Sequence, residues 1–171
     1  RLALETQDRL LIFYMIVCAL FAALNFLIFL WARSIPFRDA RPMPALVRIS
    51  YIIFVLALTL VGIALLLQLP DILPWEVDAP VSVVLGWMFL GDAFYFLYAL
   101  WQPRWYGACA QLWSFLAYDL VLLGPFLFRL PNVPSVYRDN LIVYVTILLY
   151  SGALAIYYLL INRDTRIVRV A

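Results

Sequence analysis

Five apolar stretches, each long enough to cross a hydrocarbon core, leave this chain one credible architecture. They run approximately over 10–32, 49–69, 81–101, 107–128 and 141–161, and a crossing helix needs about 20 residues at roughly 1.5 Å of rise each. An open sheet would leave unpaired edges in lipid, and a barrel would alternate apolar and polar residues with a period of two, which these stretches do not. The sequence therefore predicts an all-α polytopic membrane protein, a compact bundle of five transmembrane helices forming a single transmembrane domain over 1–171. The mean hydropathy of +0.99 and the 13% content of charged residues agree, since a soluble domain carries about 25%. The first stretch exceeds the apolar core of a signal peptide and lacks a small-residue cleavage site, so it is expected to be a retained span.

The connections are short and rich in proline: Pro36, Pro42 and Pro44 in the first, Pro74 in the second, Pro103 in the third, Pro131 and Pro134 in the fourth. Connections of this length make successive helices antiparallel neighbours. Pro125, after Gly124, is expected to loosen the fourth helix at the Val121 carbonyl, because proline has no N–H to donate. The second connection is acidic around Asp71, Trp75, Glu76 and Asp78 and reads as a solvated turn with Trp75 at the lipid boundary.

Orientation follows from arginine, the residue that governs topology together with lysine. Arg33, Arg38, Arg41, Arg48, Arg104, Arg163, Arg166 and Arg169 fall on one side, against Arg1, Arg9, Arg129 and Arg138 on the other. The excess places the N-terminus outside and the C-terminus in the cytoplasm. A basic complement made only of arginine, with abundant Ala, Leu, Val and Pro, suits a GC-rich bacterial genome and hence a bacterial cytoplasmic (inner) membrane.

Several chemistries are excluded by absence. There is no histidine, and all twelve basic residues are arginine, so the chain offers neither an imidazole ligand or base nor a Schiff-base lysine. Cys18 and Cys109 have no CxxC spacing. No cofactor or metal is expected, and no catalytic signature such as a phosphate loop or nucleophile elbow occurs, so the chain reads as non-catalytic. A net charge of +2 gives no footprint for nucleic acid.

Two residues break the apolar rule in mid-helix. Asp92 lies in Gly91-Asp92-Ala93-Phe94-Tyr95 and Asp119 in Ala117-Tyr118-Asp119-Leu120. Counted from the turn at Arg104, they sit at roughly 18 and 22 Å along their helices, a depth at which they can face one another. A carboxylate at mid-membrane costs about 3 kcal/mol on insertion scales, so these side chains are expected to point inward and find polar neighbours. With Tyr95 and Tyr118 they form the candidate intramembrane polar site; Thr59, Asn25 and Thr146 are further candidate partners. Small residues at four-residue spacing, Ala19 with Ala23 and Ser151 with Ala155, permit close helix approach.

Three functional readings follow. The leading one is a non-catalytic membrane subunit that packs against and stabilises a larger membrane protein complex, for example an energy-transducing one, with lipids and other integral membrane proteins, or further copies of itself, as partners. The second is a small proton- or cation-coupled transporter or channel using Asp92 and Asp119. The third is a binder of a hydrophobic ligand such as a lipid, quinone or pigment, with Tyr144, Tyr150, Tyr157 and Tyr158 of the fifth helix as lining.

Overall fold

A computed structural model describes residues 2–35 and 41–165, with side chains over 12–35 and 41–165. Arg1, Arg38, Arg166 and Arg169 of the orientation argument, and Pro36, lie outside the described residues, as does the side chain of Arg9. The described chain is helical without a strand: α1 (Leu2–Arg33), α2 (Ala45–Leu66), α3 (Ala79–Trp101), α4 (Trp105–Arg129), a short 3-10 turn (Leu130–Asn132) and α5 (Ser135–Ile156), which ends in a π turn (Tyr157–Ile161). Five of its helical segments are long and apolar enough to cross a membrane, which fits an integral membrane protein.

Proline and backbone closure, more than apolarity, set the starts of α2 and α5 and the end of α2. The second starts at Ala45, directly after Pro44, and the fifth at Ser135, directly after Pro134, because proline cannot donate to a preceding turn. The polar run Tyr137–Asn140, expected to be loop, is the first part of α5. Apolarity marks what lipid can surround; backbone hydrogen bonding carries the helix further into the polar flank. At the other end, α2 stops at Leu66 instead of the expected Leu69 because Gln68 takes a left-handed φ of 54°. The Gln68 N–H donates to the Leu65 carbonyl and the Leu69 N–H to the Ala64 carbonyl, a Schellman closure with glutamine in the place that usually takes glycine.

The chain divides into two units, Arg1–Arg38 and Asp39–Ala171. In the first, α1 is apolar around its circumference over 12–32 apart from Asn25. Its main polar interruption is satisfied internally, Asn25 Nδ2 donating to the Phe21 carbonyl at 2.8 Å. Arg33 lies 5.8 Å from the centre of the Phe29 ring, at the helix end where the dipole favours a cation.

In the second unit, α2 and α3 form one antiparallel pair and α4 and α5 another. The α2–α3 seam is built on glycine: a Cβ on Gly86 would sit 2.9 Å from the Gly62 carbonyl oxygen, and one on Gly62 would sit 3.1 Å from that of Gly86. Ser82, one turn before Gly86, donates to the Leu65 carbonyl at 2.7 Å. Hydrogen bonds join the pairs: Tyr51 donates to the Ala108 carbonyl at 2.9 Å, the Ser50 and Tyr150 hydroxyls meet at 2.6 Å, and Gln111 Nε2 donates to the Tyr95 carbonyl at 2.7 Å.

One end of this unit is closed by backbone. Residues 41–43 pair with 103–105, the Met43 N–H donating to the Pro103 carbonyl at 3.0 Å and the Trp105 N–H to the Arg41 carbonyl at 2.8 Å. Arg41 also donates to the Asp164 carbonyl, so three arginine-bearing segments converge there. Above them the main apolar core gathers Val47, Tyr51, Phe96, Trp105, Leu112 and Leu159. At the opposite end, the acidic connection between α2 and α3 exposes Asp71, Glu76 and Asp78 but folds its apolar residues inward. Leu73 and Pro74 are buried, and Trp75 stacks on Phe126 with centroids 5.8 Å apart and planes at 7°.

α4 runs through Pro125 to Arg129. Gly124, which precedes it, has open space where a Cβ would be.

Candidate functional site

The four predicted site residues separate into two environments. On α4, Leu112, Leu116 and Asp119 recur at i, i+4 and i+7, a single stripe facing the partner helix, and all three are buried. Asp119 is 1% exposed. Its partner is Ser151 of α5, whose hydroxyl lies 3.0 Å from Oδ1 and 2.9 Å from Oδ2. Gly152 gives the carboxyl room, since a Cβ there would stand 3.4 Å from Asp119 Oδ2. This is a closed interhelical contact.

Asp92 occupies a different place. It falls on the stripe Phe89, Asp92, Phe96 of α3, is itself exposed, and lines a partly open cavity of about 350 Å³ between α2, α3, α4 and α5. No hydrogen bond joins Asp92 to Asp119: equal depth along the bundle did not bring them face to face. Among the described residues Asp92 has no hydrogen-bond or ion-pair partner.

The cavity has a floor, walls and a roof. Phe54 and Phe115 stack across the floor with centroids 5.9 Å apart and planes at 5°, and Phe96 meets Phe115 at 4.9 Å. Ile72, Leu73 and Pro74 of the α2–α3 connection form the roof, and Asn140 Nδ2 donates to the Asp71 carbonyl at 2.5 Å, fastening that connection to α5. Tyr95, Ser114, Tyr118 and Tyr144 are polar positions in the walls. The Tyr118 and Tyr144 hydroxyls are 2.7 Å apart.

Tyr95 and Tyr118 thus belong with Asp92, while Asp119 meets the cavity only through Ser151, which lines it. Two of the other proposed partners are engaged elsewhere, Thr146 donating to the Ile142 carbonyl of its own helix at 2.8 Å and Asn25 to its own as described, and Thr59 is not among the residues that line the cavity. Of the fifth-helix tyrosines, Tyr144 lines the cavity, whereas Tyr158 packs in the core and its backbone carbonyl accepts from Thr165 at 2.8 Å.

Sequence reasoning missed Gln111, 2% exposed on α4, whose Oε1 has no hydrogen-bond partner among the described residues. It also missed the Ile72–Pro74 roof, although three consecutive apolar residues inside an acidic connection were a usable signal. Among the described residues no group of three or more metal-ligating side chains gathers. Comparison of the chain with family models, with curated proteins and with solved structures finds no match.

Proposed function

We propose that this chain is a non-catalytic integral membrane protein whose four-helix unit holds a small lipophilic ligand within the bilayer. The observation that carries this reading is the cavity between α2 and α5, about 350 Å³ and largely apolar, with a few polar groups in its lining. That is the form and size range of small-molecule sites, which start near 300 Å³. A subunit whose role is packing would close such a recess, since protein interiors pack with few voids. Composition favours the stabilising-subunit reading; the cavity favours ligand binding over it.

In this reading the two aspartates have separate duties. Asp119 joins α4 to α5, as polar groups do between transmembrane helices, and Asp92 is the group presented to the ligand. The clustering of Arg41, Arg104 and Arg163 segments at one end supports a cytoplasmic location for that end, by the positive-inside rule, in a bacterial cytoplasmic membrane. The cavity then lies toward the outer side.

The test is gentle solubilisation followed by native mass determination and extraction of small molecules. A lipophilic molecule bound in stoichiometric amount, and lost from Ala57→Phe, which fills the cavity wall, is the expected result. A stoichiometric protein partner with an empty cavity would return the subunit reading. Proton or cation flux in liposomes, abolished by Asp92→Asn, would replace binding with coupled transport.

A further inference from the structure

We infer that the ligand is a lipophilic cation, a protonated amine carrying an aromatic or branched aliphatic body, with Asp92 as its counter-ion; this rests on the ligand-binding reading above. Asp92 is the charged residue among those lining the cavity, and no arginine lines it. The chain has no lysine or histidine. Its described arginines in the second unit lie in connections, as Arg41, Arg104 and Arg163 do, or in terminal turns of helices, as Arg48, Arg129 and Arg138 do. An ionised carboxylate in a membrane interior is stabilised by a compensating charge, and among the described residues none lines the cavity.

The neighbouring polar groups are largely occupied with one another. Tyr118 holds Tyr144, Ser151 holds Asp119, Ser114 donates to the Ala110 carbonyl at 3.2 Å, and Asn140 is tied to the Asp71 carbonyl. Asp92 is the strong acceptor left over. The surrounding rings, Phe54, Phe89 and Phe115 with Tyr95 and Tyr118, add faces that attract a cation and an apolar body in the same space. An anionic ligand would meet Asp92 without relief. A neutral one would leave its charge unanswered unless the carboxyl kept a proton.

The experiment uses the full chain in nanodiscs of phosphatidylcholine, which has no net charge, and titrates two probes of matched shape: a naphthylalkyl amine and the corresponding naphthylalkyl alcohol. The wild type should bind the amine at least roughly tenfold tighter than the alcohol, the scale of one desolvated charge contact. Asp92→Asn should bind both equally, Asp92→Glu should restore the preference, and Ala57→Phe should bind neither. Equal affinity of wild type for amine and alcohol, with both lost in Ala57→Phe, would overturn the cation inference and leave the binding site intact. A preference for the amine that survives in Asp92→Asn would overturn the role of Asp92. Absence of saturable binding by either probe would remove the ligand-binding reading itself.

Discussion

The Ser151 hydroxyl stands within 3.0 Å of both carboxyl oxygens of Asp119 and also within 3.1 Å of the Ile147 and Leu148 carbonyls of its own helix. A serine that would otherwise only return its proton to the preceding turn is thereby shared between two helices. The expected outcome is an asymmetry between single and double substitution. Ser151→Ala leaves a buried carboxyl with no partner and should cost about 1–3 kcal/mol, whereas Ser151→Ala with Asp119→Leu replaces both ends by apolar groups and should recover most of that loss. Reversible unfolding of the four variants of this cycle in bicelles measures the coupling.

Gly86 and Gly91 lie on the same helix and should respond to alanine with opposite sign. At Gly86 the new Cβ meets the Gly62 carbonyl oxygen and the Leu66 Cγ at 2.9 Å each, and the carbonyl belongs to helix backbone that cannot turn aside. Gly86→Ala should therefore force α2 and α3 apart and cost about 1–3 kcal/mol, the usual scale of overpacking. Gly91 has open space at that position. Gly91→Ala should be neutral or stabilising by up to about 1 kcal/mol, the helix preference of alanine over glycine. Thermal midpoints of the two variants in one detergent decide the matter.

How far the sequence revealed this arrangement depends on the question asked of it. The number of spans follows from length and apolarity, and Asp92, Asp119, Tyr95 and Tyr118 stand out because lipid makes polar residues conspicuous. Residue counting gave depth but not azimuth. Asp119 continues the stripe of Leu112 and Leu116 toward α5, while Asp92 continues that of Phe89 and Phe96 toward the cavity, and a few tens of degrees separate a contact from none. Ser151 was visible as a small residue four before Ala155, but that it serves a carboxylate depends on the facing helix. Gly62 and Gly86 are hidden for the same reason: a glycine announces room, and only its neighbour says who fills it. The spacing of Ser82 and Gly86 was the available sign.

Gln68 offers a gain in stability that leaves the cavity untouched. It closes α2 in the left-handed region, φ 54°, where an L-residue with a Cβ is strained by roughly 1–2 kcal/mol. Its backbone N–H already makes the closing bond to Leu65, so the side chain is not needed for the motif. Gln68→Gly should raise stability by about 0.5–1 kcal/mol, net of the extra freedom glycine gives the unfolded chain. Asp71, also left-handed at φ 56°, sits across Pro70 and its carbonyl receives Asn140, so the same change there can alter the roof. Unfolding of the two glycine variants, with probe affinity measured alongside, separates the cap from the roof.

Gln111 is the buried polar side chain whose removal should be least harmful. Its Nε2 donates to the Tyr95 carbonyl, but that carbonyl lies inside α3, where the N–H of Ala99 is its helical partner. Rotating the amide would not help, because it would set Oε1 against another carbonyl oxygen. Gln111 Oε1 has no donor and bears the desolvation penalty of an unpaired acceptor, about 1–3 kcal/mol. Gln111→Met keeps the length of the side chain and deletes both the bond and the orphan, so its stability should stay within about 1 kcal/mol of wild type or exceed it. Gln111→Glu keeps the acceptor and removes the donor, placing a carboxyl against the Tyr95 carbonyl, and should be the more damaging of the two. If unfolding midpoints instead show Gln111→Met to be as destabilised as Gln111→Glu, a donor to Oε1 exists in the membrane, and the α3–α4 seam is more polar than these contacts describe.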